Sequence, residues 1–221
     1  MRMRKKKNLE EKLQLCDNLI IKMTDDRNYL TAADNPEYFD FEKLFGNSNP
    51  VHLEVGCGKG QFVYEIARLN PHINYLAVEK SSNVIVTACQ KSASLPNVRF
   101  LKCGAEYLSK YIKPDSIERI YLNFSCPFPK KAYASHRLTA PHFLKIYDTV
   151  MKSGAEIHQK TDNRGFFEFS IEQLSDYGFT LKNISLDLHS SDFEGNIVTE
   201  YEARFSAEGF PIYRLEAYLK K

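Results

Sequence analysis

From Pro50 onward the chain alternates short apolar runs with helical ones, and that alternation narrows the fold more than any other feature. The runs "VHLEVG", "INYLAVE", "NVRFLKC", "IERIYLNF" and "GAEIHQK" read as strands. Between them, "KGQFVYEIARLN" presents Phe62, Ile66 and Leu69 on one helical face, and "SSNVIVTACQKSASL" enters a helix through serines. "TAPHFLKIYDTVMKSG" has Pro141 in its first turn and a glycine stop, and "RGFFEFSIEQLSDYG" is a helix ending at Gly178. Strands separated by helices pair in parallel through crossovers, which gives an α/β, doubly wound sheet. "FTLKNISLDL" and "PIYRLEAYL" have no long crossover helix between them, so the final pair is expected to be antiparallel.

Ahead of Pro50, residues 8–49 read as helical and irregular, with "NPEYFDFEKLFG" a short helix closed by Gly46. We expect a basic arm and helical lead-in over 1–49 and a single domain over 50–221. With 43% hydrophobic residues, a chain of 221 is long enough for a sizeable core. The net charge of +2 excludes a global basic field, yet "MRMRKKK" puts five cations in seven residues. That run is either a solvated tail or an arm that grips phosphates. The five cysteines, at 16, 57, 89, 103 and 126, are odd in number and form no Cys-x-x-Cys pair. Neither a zinc site nor a disulfide framework is indicated, so no metal is expected and reduced thiols fit best. No apolar run has the length of a membrane span, and none follows the basic start as in a signal peptide. A cytoplasmic protein without a membrane partner is expected.

"LEVGCGKGQ" places Gly56, Gly58 and Gly60 directly after one strand and before a helix. Glycines there let the backbone turn sharply and approach a ligand. The spacing is G-x-G-x-G, whereas a dinucleotide fingerprint wants G-x-G-x-x-G, and position 61 is Gln. Glu54 precedes the first glycine by two, and Glu79 ends the next strand, where a carboxylate can accept both hydroxyls of a ribose. Two acids around a glycine loop fit S-adenosylmethionine, whose sulfonium end is cationic and carries no phosphate. A glycine-rich turn in some other doubly wound domain is the alternative.

"YLNFSCPFPKK", Tyr121 to Lys131, is an apolar strand running into a proline-stiffened loop with Cys126 and two lysines. Taken with "EVGCGKGQF", "IHQKTDNRGFFE" and "SDFEGNIVTEYE", it resembles the bacterial tRNA (guanine-N7) methyltransferases from about residue 35 to the C-terminus. The resemblance implies a class I methyltransferase fold, with a mostly parallel seven-stranded sheet and an antiparallel last strand. It implies S-adenosylmethionine as donor, guanine 46 of the tRNA variable loop as target, and a monomer or homodimer. Glu54, Gly56, Gly58, Gly60, Glu79, Gly104 and Cys126 fall on the family's cofactor positions, with Cys126 also the catalytic one. Lys130, Asp162, Thr199, Glu200, Tyr201 and Glu202 fall on its substrate positions. Each has a plainer reading: Asp162 or Asn163 can cap the next helix, and Thr199 with Glu202 forms a capping-box pattern.

The chain also departs from the family it resembles. "SCPFPKK" stands where the family reads "SDPWPKK", so Cys126 replaces the catalytic aspartate and Phe128 a tryptophan. Gly104 replaces an aspartate that meets the adenine; Glu106, two residues on, is the acid that could substitute. After the lysines the family is strongly basic, and here mainly His136 and Arg137 remain. Cys126 is either a small buried hydrophobe, a weakened catalytic position or a working thiolate favoured by nearby lysines. Guanine N7 carries a lone pair and no proton, so the attack needs no general base. The protein must align N7 with the methyl group and offset the charge that develops on the ring. Three functions follow: an active tRNA methyltransferase, a non-catalytic or weakly active tRNA-binding relative, and a small-molecule methyltransferase. The basic start and the "PKK" loop argue against the third.

Overall fold

The computed structural model describes residues 6–22 and 33–220. The chain divides into two compact units, Met1–Ile112 and Lys113–Lys221. Among the described residues the strands number eight rather than seven. No helix among the described residues is long and apolar enough to cross a membrane.

In the first unit, strands β1 (Leu19–Ile21), β2 (Val51–Val55), β3 (Asn74–Val78) and β4 (Val98–Lys102) lie in the order β1-β4-β3-β2, all parallel. Every residue of β2 and β3 is buried. A parallel strand covered on both faces has no solvent side, which suits the apolar run of β3 after Asn74; β2, VHLEV, alternates instead and buries His52 and Glu54 as well. The helices are α1 (Leu9–Gln14), α2 (Phe41–Phe45), α3 (Gln61–Leu69), α4 (Ser82–Lys91) and α5 (Leu108–Tyr111). The Asp40 side chain accepts from the Lys43 amide to cap α2, and Gly46 closes it at a left-handed φ of 73°. The buried stripe of α3 is Phe62, Val63 and Ala67; Leu69, expected on it, is 59% exposed. The stripe is rotated toward Val63 and Ala67, which leaves the last residue of the helix outside it.

The lead-in is not wholly helical, because β1 adds an edge strand to the sheet. The Phe100 amide donates to the Asn18 carbonyl at 2.8 Å, and Asn18 Nδ2 donates to the Cys89 carbonyl at 3.1 Å. Farther on, the Glu37 and Phe39 amides donate to the Lys110 and Tyr111 carbonyls, both at 2.8 Å. Of the basic start, residues 1–5 lie outside the described residues. The Lys6 amide donates to Asn83 Oδ1 at 2.9 Å and its ammonium to Thr87 Oγ1, both acceptors on α4.

In the second unit, β5 (Ile117–Asn123), β6 (Met151–Thr161), β8 (Tyr213–Tyr218) and β7 (Thr180–Ser185) lie in that order. β5 and β6 are parallel, and β8 runs antiparallel to both β6 and β7. The helices are α6 (Pro141–Val150), α7 (Arg164–Tyr177) and α8 (Glu200–Ala207). Gly154 does not stop α6: the helix ends at Val150 and β6 starts at Met151. Gly154 instead sits inside β6 with φ 76°, where the register against β5 shifts. A left-handed glycine is what a bulge in a strand needs.

Gly58 and Gly60 are both left-handed, at φ 58° and 77°, but for different reasons. A Cβ on Gly60 would lie 2.6 Å from the Ala88 Cβ, so this glycine lets the start of α3 meet α4. A Cβ on Gly58 would meet nothing within 4 Å. We therefore expect Gly58→Ala to cost only the left-handed backbone, about 1–2 kcal/mol. Gly60→Ala should cost that plus an overpacking term of about 1–3 kcal/mol. Urea unfolding of the two variants checks this, and equal midpoints would contradict it.

Candidate active site

In the first unit the chain leaves β2 through Gly56 to Gly60. The Gly56 and Cys57 amides both donate to the Val78 carbonyl, at 2.8 and 3.0 Å, which fixes the loop to the end of β3. One residue further, the Glu79 carboxylate accepts from the Gly58 amide at 3.3 Å and from the Ser81 amide at 2.8 Å. Glu79 thus bridges the glycine loop and the entry to α4. It is half-buried, and its oxygens keep lone pairs for further donors. Glu54 is buried in β2. Its charge reaches Cys57, whose thiol is pushed well above its ordinary range by burial first, then by Glu54 and Glu79. The structure so gathers two acids around a loop whose middle glycine faces open space. That arrangement suits a ligand with a cationic end and a diol.

At the end of β4, Gly104 is extended, with φ −77° and ψ 153°. A Cβ there would collide with the Glu106 carboxylate, which folds back over the glycine. Glu106 therefore occupies the space that a side chain at 104 would need. It lies near enough to Cys103 to add to the burial that pushes that thiol up to about 12.

In the second unit, β5 ends in a strained loop. Phe124 and Phe128 have φ 49° and 42°, a region that bulky side chains rarely adopt. They flank Cys126, which is exposed rather than buried, so it is not a small core residue. Two contacts hold the strain. The Phe124 amide donates to the Lys160 carbonyl at 2.8 Å. Arg137 donates to the Pro127 and Phe128 carbonyls at 3.0 and 3.1 Å, with its guanidinium 4.5 Å from the Phe169 ring centroid. Arg137 is thus a clamp on the loop. Ser125 Oγ is buried without a hydrogen-bond partner among the described residues. Lys130 and Lys131 are exposed at the loop's far end.

Beyond β6, Asn163 caps α7 by accepting from the Phe166 amide at 2.8 Å. That leaves the half-buried Asp162 without a capping role. The capping box at Thr199 and Glu202 is present. Both side chains are buried, Glu202 completely. Glu202 accepts from Lys160 Nζ at 2.6 Å, Asn196 Nδ2 at 2.5 Å and the Thr199 amide at 3.4 Å, and lies 3.2 Å from His189 Nε2. Lys160 Nζ also donates to Asn196 Oδ1 and the Ile197 carbonyl, at 2.9 and 2.8 Å. Thr199 and Glu202 thus hold α8 and the loop before it to β6. Of the expected substrate run, only Glu200 and Tyr201 are exposed.

Elsewhere on this unit's sheet, Glu156, His158 and Glu216 bring their donor atoms within 4.8 Å of one another. Cations already answer both carboxylates: Arg119 and Lys182 donate to Glu156, and Arg214 to Glu216. Burial holds His158 down at about 4, and Glu156 sits at about 2, where its cationic neighbours outweigh burial. This is a charge network within the sheet.

The Methyltransf_4 family of methyltransferases matches residues 48–215. The tRNA (guanine-N(7)-)-methyltransferase of Bacillus subtilis is 51% identical over 189 residues, 84% of this chain and 89% of that protein. Its counterpart in Listeria welshimeri is 50% identical over 187 residues, 83% and 87% of the two chains. Among solved structures, the 16S rRNA methyltransferase KamB superposes with a TM-score of 0.64 at 19% identity, over 84% of this chain and 95% of that one. The last likeness shows a shared class I methyltransferase fold.

Lys160→Met should leave the Glu202 carboxylate buried without its main cation, which costs about 3–5 kcal/mol. The double variant Lys160→Met/Glu202→Leu should recover much of that. Chemical denaturation checks both. A single variant as stable as wild type would contradict the buried tie.

Proposed function

The chain belongs to the bacterial tRNA (guanine-N7) methyltransferase family, and on that premise we propose that it methylates N7 of a variable-loop guanine, position 46, in tRNA. S-adenosylmethionine, the methyl donor, supplies an activated methyl on a sulfonium. The observation that carries this reading is the loop after β2, where Gly58 faces open space beside the Glu79 carboxylate. Gly56, Gly58 and Gly60 let the backbone approach the cofactor, Glu79 accepts from its ribose hydroxyls, and Glu54 faces its cationic end. Glu106 replaces the acid missing at Gly104. Cytoplasm is the compartment that fits a tRNA-modifying enzyme, acting as a monomer or homodimer.

The second unit's residues handle the RNA. Lys130 meets phosphate, and Asp162, Glu200 and Tyr201 contact the nucleotide. Thr199 and Glu202 act by positioning their neighbours. Cys126, exposed at the catalytic position, stands where a carboxylate would offset the charge that develops on the ring. The absent charge-assisted hydrogen bond is worth about 1.5–3 kcal/mol, or roughly ten- to hundredfold in rate. This departure is what favours the second reading, a weakly active or non-catalytic tRNA-binding relative.

Calorimetry with S-adenosylhomocysteine should show binding that weakens in Glu79→Ala. Glu106→Gln should weaken it by about tenfold, since a charged acceptor becomes neutral. Wild-type affinity in Glu106→Gln would remove that residue from the cofactor site, and no binding by folded wild type would overturn the methyltransferase reading.

Methyl transfer to unmodified tRNA from labelled S-adenosylmethionine should be measurable in wild type and should rise in Cys126→Asp, by at most about a hundredfold. Cys126→Ser should change little. Collapse with Ser would make a thiolate the working species. Inactivity of all three forms, with tRNA binding intact, would establish the non-catalytic relative.

A further inference from the structure

Four aromatic rings form a continuous row in the second unit, outside the core. Phe124 stacks on Tyr201 with centroids 6.5 Å apart and planes 16° apart, and Tyr201 on Phe205 at 6.4 Å and 23°. Phe205 then meets Phe210 edge-on at 6.1 Å. Tyr201 is 58% and Phe210 52% exposed. Large apolar side chains exposed singly are ordinary, but a contiguous row of them marks a binding surface.

The row is held rigidly at both ends of its stacked part. Phe124 is fixed in its left-handed conformation in the loop that carries Cys126 and Lys130. Tyr201 and Phe205 are four residues apart on α8, so they share one helix face. The neighbouring Glu202 is fully buried on Lys160, which fixes the face that the two rings present. Positive charge accompanies the row in Lys130 and Lys131, exposed on the loop that Phe124 begins; the Arg204 guanidinium, 5.6 Å from the Phe205 centroid, is paired with Glu208 at 3.0 Å.

A partly exposed stack with an edge-on ring at its end, close to exposed lysines, suits unpaired nucleotides. Every base has a π-face to stack, and its phosphate meets the cation. Chemistry on a base takes that base out of its stack, which leaves its neighbours unstacked. We propose that Phe124, Tyr201, Phe205 and Phe210 form a stacking platform for the unpaired tRNA nucleotides flanking the target guanine. The proposal rests on the tRNA methyltransferase reading.

The test measures binding of fluorescently labelled tRNA over a salt series, alongside its methylation. Tyr201→Ala/Phe210→Ala removes two exposed rings and should weaken binding by about fivefold or more, since stacking is worth roughly 1–3 kcal/mol per base. The slope of log affinity against log salt should stay unchanged, because no phosphate contact is lost. Lys130→Ala should instead flatten that slope by about 0.7–0.9. Restoring the rings as Tyr201→Phe/Phe210→Tyr should recover most of the affinity that the double alanine variant loses. Unchanged affinity in the double alanine variant, while wild type binds and methylates tRNA, overturns the platform alone. So does a loss that comes with a flatter salt slope, or a change in oligomeric mass with tRNA affinity intact. Wild type that neither binds nor methylates tRNA overturns the underlying reading and the platform with it.

Discussion

Parallel pairing sets where the chain of each unit can place its loops. Strands that run the same way bring their carboxyl ends to one edge, so the loops that follow them gather there. In the first unit that edge collects the glycine loop after β2, Glu79 after β3, and Gly104 with Glu106 after β4. In the second unit, the parallel pair β5 and β6 carries the Cys126 loop and Asp162 at its own carboxyl ends. A ligand site of this kind needs few special residues, because the ladder does the positioning. The glycines relieve the sharp turn and the acids supply the charge.

Two devices add rigidity where the ladder ends. Arg137 and the β6 backbone hold Phe124 and Phe128 in a conformation that costs of order 1–3 kcal/mol per residue. The Lys160–Glu202 tie joins α8 to β6, with all three ammonium donors engaged. Its charges are satisfied within the protein, so the tie serves geometry. Glu202 keeps Tyr201 and Phe205 facing outward while facing inward itself. One residue of a short motif can thus be structural while its neighbour stays exposed.

Much of this was legible in the sequence, and what was not has identifiable causes. β3 was readable as a nearly unbroken apolar run, β2 as an alternating strand, and the glycine loop because a left-handed turn demands glycine. β1 was not, since three edge residues are too few to show a period and are only half-buried. Gly154 reads as a helix stop because a glycine after a helical run ordinarily is one; its bulge depends on pairing with β5. The capping box at Thr199 was visible locally, but the burial of Glu202 depends on Lys160, 42 residues earlier. Whether Cys126 was buried or exposed could not be read from its neighbours, because the strained φ values that set the loop have no residue-type signal at Phe124 and Phe128. Glu106 could be named as a substitute from its charge. Its place over Gly104 required the backbone.

Methyl transfer that survives the cysteine at position 126 leaves a product that can be mapped directly. The most direct measurement is to incubate the purified protein with unmodified tRNA and S-adenosylmethionine and map 7-methylguanosine by base-specific chemical cleavage. One modified position is expected, the variable-loop guanine, and none when the cofactor is omitted. An unmodified variable loop in tRNA that the protein demonstrably binds, with cofactor bound as well, would contradict it.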